Sequence, residues 1–202
     1  YKERSAREFT HALVLETTFP TLDASSKDPA YLTVKLASET IRLIPGSGAQ
    51  ASITPAAHQK AWLPANFRLE LPGLDVSKVP RIESFTVGQH MAEPAVGESR
   101  VSAKEAGGIE FPSLKIAIPE VTAKTWVDWS DDFIVKGNSG DEKEKNGAIV
   151  FLDPSLKNEL GRVNLINCGI AGLGPERQVA NAEAVRRMVA ELYCERMELV
   201  VK

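Results

Sequence analysis

The side chains with most capacity for chemistry are few and scattered. The chain has three histidines, His11, His58 and His90. His11 begins an apolar stretch, His58 lies among prolines and small residues, and His90 adjoins Met91. None has a second histidine, a cysteine or a carboxylate at the spacing that zinc ligation uses, so each reads as a surface or packing residue. The two cysteines, Cys168 and Cys194, sit in separate apolar stretches and form no Cys-x-x-Cys pair. They read as buried, reduced thiols rather than a disulfide. Asp128, Asp131 and Asp132 cluster, but Asp128 and Asp132 fall one helical turn apart, where solvated carboxylates are the ordinary outcome. The mixed-charge loop 138–146 lacks the glycine and glutamate spacing of a calcium-binding EF-hand. No Gly-x-Ser-x-Gly elbow or phosphate-cradling Walker loop is present. These residues supply no catalytic, cofactor-binding or metal-ligating set, and the chain is read as a non-enzyme without cofactors.

Trp126 and Trp129 remain. With Phe133 they recur at i, i+3 and i+7, which puts all three on one face of a helix. That spacing favours a core face packed on a sheet. The rival use is a stacking platform for a carbohydrate or protein ligand, in a β-sandwich binding module. The helix is expected to begin with Thr122 as its N-cap and to end at Gly137.

The rest of the chain alternates in the period-2 manner of strands. Residues 12–19 are apolar and β-branched and end at Pro20. After a polar turn over 23–29, residues 31–36 alternate. Further strands are expected over 67–71, 81–87, 114–118, 148–152, 162–168 and 188–201. Residues 148–152 are apolar throughout, as suits a strand covered on both faces. In the last strand Ala190, Leu192 and Cys194 share a face, and the phase then shifts to Met197, Leu199 and Val201, so a bulge is expected near Glu195 and Arg196. Glu191, Tyr193 and Glu195 would then lie on an exposed face. Residues 90–108 are polar and glycine-containing and read as an exposed loop, and a short helix is expected over 179–187.

Composition sets the outer bounds. The chain has 202 residues, 43% hydrophobic and 25% charged, with a net charge of −3. That length supports one or two real cores. The balance lacks the basic footprint of a sequence-reading nucleic-acid binder. No apolar run reaches the ~20 residues that a membrane span needs. With Tyr1 in place of a methionine, the sequence is read as starting inside a longer chain.

The order strand, turn, leucine, polar connection, long strand occurs twice, over 12–36 and again over 163–199. It suggests three segments: 1–45 as the closing strands of a preceding domain, 46–61 as a linker, and 62–202 as a complete second copy.

The C-terminal part carries a resemblance. Trp126-x-x-Trp129-x-x-x-Phe133-x-x-x-Gly137, a charged loop, then 147–153 (Gly-Ala-Ile-Val-Phe-Leu-Asp) resembles the tail-tube family of contractile phages. So do Arg162-Val163-Asn164-Leu165, Gly169-Ile170, Leu173, the closing strand 190–199, and the opening run 66–74. The likeness spans 62–202 and extends to phage tail-like proteins with two such domains in tandem. It implies a mainly β fold, a β-sandwich or partly closed β-barrel with a flanking α-helix. It also implies a structural subunit of a contractile injection system, either main tube or tube-end adaptor. Its expected partners are copies of itself in rings and stacks, together with sheath, baseplate or hub components, and neither a membrane nor specific nucleic acid. Such a subunit would be assembled in the cytoplasm or carried in a virion or tail-like particle.

Overall fold

A computed structural model describes residues 2–49, 62–92, 104–176 and 186–202. The chain forms two compact units that interleave along the sequence. The first comprises the described residues of Tyr1–Thr18, Thr33–Lys60 and Val87–Glu110, and the second those of Phe19–Leu32, Ala61–Thr86 and Phe111–Lys202.

The first unit is built on a four-stranded sheet of order β3-β1-β6-β7. One side of it is a long antiparallel hairpin of β1 (Ser5–Phe19) and β3 (Thr33–Pro45), with β6 (Phe85–Ala92) beside β1 and β7 (Glu105–Glu110) beyond β6. Both hairpin strands run well beyond the apolar stretches that mark them in sequence. They carry many polar and charged residues, and the pairing itself supplies the backbone hydrogen bonds. One register shift falls between Val14 and Glu16. The expected loop over 90–108 is corrected by this sheet. Met91 and Ala92 pair with Ala106 and Glu105, so its two described ends are strand. Gly107 and Gly108 fall opposite the register shift between Gln89 and Met91, a bulge position that glycine suits. Residues 93–103 lie outside the described residues, as do 50–61, most of the expected linker.

The second unit is a seven-stranded sheet of order β2-β5-β8-β11-β10-β9-β4. Its strands are β2 (Leu22–Asp23), β4 (Phe67–Glu70), β5 (Arg81–Ile82), β8 (Leu114–Pro119), β9 (Lys145–Leu152), β10 (Glu159–Pro175) and β11 (Arg187–Val201). Every pairing described is antiparallel. Residues 148–152 of β9 are all buried, so that strand is covered on both faces as its composition required. Phe19 stacks on Phe85 with ring centroids 4.6 Å apart and on Phe151 at 6.0 Å, and Trp62 meets Phe151 edge-on at 4.8 Å.

The segment 1–45 therefore does not make sheets of its own: β1 lies beside β6, and β2 pairs with β5. The two stretches that echo each other in sequence are the two long hairpins, β1–β3 and β10–β11. The bulge expected near Glu195 and Arg196 is absent from the β10 ladder, which keeps its register through Ile166↔Arg196 and Cys168↔Cys194. The irregularities lie on β10 instead, at a register shift between Ile170 and Gly172 and at Asn167, whose φ is +50°. Of the helix expected over 179–187, residues 179–185 lie outside the described residues, and Arg187 already begins β11.

Candidate assembly surfaces

The helical element sits in the second unit and enters differently from expectation. A tight turn over Glu120–Thr122 follows Pro119, and α1 (Lys124–Ser130) starts with Ala123 in the N-cap position. Thr122 does not cap it; its hydroxyl donates to the Pro119 carbonyl at 3.1 Å. A wider helical turn continues over Asp131–Val135. Gly137 then reverses the chain with φ +72°, a left-handed conformation that only glycine adopts without cost.

Trp126, Trp129 and Phe133 are the buried residues of this element. Trp126 is 0% exposed and its indole N–H donates to the Asp75 carbonyl at 2.9 Å. The Asp75 amide in turn donates to Thr125 Oγ1 at 2.9 Å. Trp129 is buried between Trp126 and Phe133, and Lys145 Nζ stands 5.3 Å from its ring centre. Neither indole leaves a face open for stacking, so the spacing marks a core stripe and not a ligand platform.

Asp128 pairs with Lys124 at 2.7 Å, and Asp132 accepts from Asn138 at 2.9 Å with Lys136 at 3.6 Å. These carboxylates serve local helix contacts. Among the described residues no group of three His, Cys, Asp or Glu side chains is arranged to hold a metal ion.

His11 lies on β1 with φ +47°, its Nδ1 2.6 Å from Glu39. That contact, with a hydrogen bond donated by the Lys104 backbone N–H, holds the Glu39 carboxyl below its usual range. His90 lies on β6, 3.4 Å from Glu110, and His58 lies outside the described residues. Tyr193 does not stand free on an exposed face. Its ring lies over Gly169 on the neighbouring strand, and its hydroxyl donates to Glu144 at 2.7 Å. Burial, then Glu144, push the phenol up to about 12.

The feature that sequence reading missed is on the first unit. Phe9 stands directly opposite Ile41, and Arg7 opposite Leu43 two residues further on, so the four share one face of the hairpin. Phe9, Ile41 and Leu43 are 51%, 63% and 70% exposed. Val14 and Leu36 form a second facing pair along the same hairpin, 47% and 53% exposed. Ion pairs such as Lys35–Glu16 at 2.7 Å lie among these residues. The two apolar pairs lie five residues apart in an unshifted register and so stand on opposite faces of the hairpin, and exposed apolar side chains grouped in this way mark protein contacts. The sheet's outer strands, β3 and β7, also have no further partner among the described residues. An open edge presents unpaired N–H and C=O groups to any strand that comes alongside. Alternation alone would have located Phe9, Ile41 and Leu43 on a face, but not told whether that face was covered.

No family model matches the sequence, and no curated protein matches it. Solved structures do. The architecture is a tail-tube-like fold, the class found in contractile injection systems. A chain of the anti-feeding prophage tube terminating cap matches with TM-score 0.56 and 12% identity, over 77% of this chain and 98% of that one. A chain of the PVC sheath/tube terminator in its extended state matches with TM-score 0.54 and 15% identity, over 76% and 100%. A chain of the extracellular PVC sheath–tube complex matches with TM-score 0.52 and 15% identity, over 67% and 88%. Among the described residues no helix is long and apolar enough to cross a membrane.

Proposed function

We propose that this chain is a structural, non-catalytic subunit of a phage-tail-like contractile tube or of a tube-end adaptor, and that it assembles into rings around a channel. The observation that carries this reading is the first unit's sheet, with its facing exposed apolar side chains and edges that have no further partner among the described residues, on a fold otherwise found in tube, sheath–tube and cap particles. In such a ring each copy would offer one surface to the copy ahead and a different one to the copy behind. A rotation that closes gives a ring instead of a fibre. The neighbouring copy would bury Phe9, Ile41 and Leu43 and pair the open strand edge. Stacked rings would meet sheath, baseplate or hub components, in the cytoplasm during assembly and in the finished particle. The net charge of −3 suits a channel that must not hold its cargo.

The test is electron microscopy of the purified protein at high concentration, with native mass spectrometry on the same sample. The expected result is rings or short stacks with a central hole and a mass that fixes the subunit number. Ile41→Asp, at a position 63% exposed in the single chain, should leave the unfolding midpoint in place and abolish the rings. A protein that stays monomeric at every concentration, or an Ile41→Asp variant that forms rings as readily as the parent, would overturn the ring reading.

A further inference from the structure

Cys168 and Cys194 are the chain's two cysteines, and the register of the β10–β11 hairpin sets them directly opposite each other. Both are buried and free, with Cys168 Sγ 2.9 Å from Cys194 Sγ. Facing residues on antiparallel strands have Cα atoms about 4.5–5.5 Å apart. That lies inside the range of about 4.4–6.8 Å that a disulfide spans. Closing the bond therefore requires little backbone movement. Both residues belong to the second unit, on adjacent strands in the middle of its sheet.

We infer that this pair is a redox staple: reduced in a thiol-rich compartment, it closes into an intrachain cross-strand disulfide when the protein meets a small-molecule disulfide without excess thiol. In the exchange, the thiolate of one cysteine attacks a sulfur of the small disulfide RSSR and expels one RS⁻. The second cysteine's thiolate then attacks the protein sulfur of that mixed disulfide and expels the second RS⁻. The two protons leaving the cysteines are taken up by the two RS⁻. The protein thiols lose two electrons, RSSR gains them, and the products are Cys168–Cys194 and two RSH.

The folded pair is slow to react. Its neighbour Cys168, then burial, raise the Cys194 thiol and hold it as the unreactive SH form. Exchange is therefore expected on folding or on opening of the hairpin, and the closed bond should be equally sheltered from reductant. The cysteines are separated by 26 positions. A closed loop of that size shifts the folded-to-unfolded ratio by roughly a few hundred-fold.

The full-length protein would be unfolded in denaturant and refolded in oxidised glutathione, then in mixtures with increasing reduced glutathione. Samples are acid-quenched, alkylated, digested and read by mass spectrometry. The expected product is one chain two hydrogens lighter, with Cys168 and Cys194 in a linked peptide, restored to two alkylated thiols by dithiothreitol. The oxidised form should unfold at higher denaturant than the reduced form, with a folded-to-unfolded ratio larger by roughly a few hundred-fold at equal denaturant. Cys168→Ala and Cys194→Ser, studied separately, should each keep the reduced protein's fold and lose the redox dependence of stability. Natively folded protein with two free thiols after refolding in oxidised glutathione would overturn the inference. So would glutathione adducts on both cysteines, or disulfides between chains. The outcome is independent of ring assembly, because every readout is made on the single chain.

Discussion

Replacing Trp126 by phenylalanine tests whether the tryptophan stripe is core or ligand site. The indole is 0% exposed and its N–H holds the Asp75 carbonyl at 2.9 Å. The substitution removes that donor and leaves the half-buried Asp75 carbonyl without it, at a cost of ~1–2 kcal/mol. It also removes about two ring carbons from the core, at ~0.8 kcal/mol each. The expected loss of stability is about 3 kcal/mol, a large fraction of what a domain possesses. Urea unfolding followed by far-ultraviolet circular dichroism measures it without relying on the fluorescence that the substitution changes. Thr125→Val provides the partner test, because Thr125 Oγ1 accepts from the Asp75 amide at 2.9 Å. Alone it should cost ~1–2 kcal/mol. The double variant should cost less than the two single losses together, since both bonds restrain Asp75. A Trp126→Phe protein within ~0.5 kcal/mol of the parent would refute the assignment of Trp126 as a core anchor.

Two further outcomes follow from the β10 strand. Gly169→Ala places a methyl where the Tyr193 ring lies. The ring must swing away from Glu144, so a loss of ~1–3 kcal/mol is expected, shrinking when Tyr193→Ala is added; strictly additive losses in denaturant titrations would contradict the contact. Glu159 is held at about 2, below its ordinary 4.5, chiefly by its bond to Arg162, with Lys202 contributing. Because the folded value is depressed, this stabilisation is complete above about pH 4.5 and is lost as pH falls towards about 2. Glu159→Gln should flatten the fall in unfolding midpoint across that window, and an unchanged acid profile would count against the pairing.

Local pattern carried much of the second unit. Alternation located β4, β8 and β11 to within a few residues, a continuous apolar run located β9, and the i, i+3, i+7 spacing of Trp126, Trp129 and Phe133 located the helix and its buried face. Gly137 was legible as a helix terminator because a left-handed φ there suits glycine alone. Thr122 was misread because capping depends on the turn by which the chain arrives, and Pro119 directs that turn elsewhere. Residues 91–92 and 105–106 read as loop because their strand conformation is imposed by partners across a ladder.

What the sequence determined by itself is therefore local: strand and helix periodicities, the core stripe of the helix, a composition with no basic excess, and a resemblance to tube proteins. Tertiary structure alone decided three things. It interleaved the two units, since which strand lies beside which is a long-range choice that propensity does not encode. It left Phe9, Ile41 and Leu43 exposed, since exposure depends on which elements pack against a face and not on its own alternation. And it set Cys168 against Cys194 across 26 positions of chain, since the register of a hairpin is fixed by its whole ladder and not by the two residues that meet.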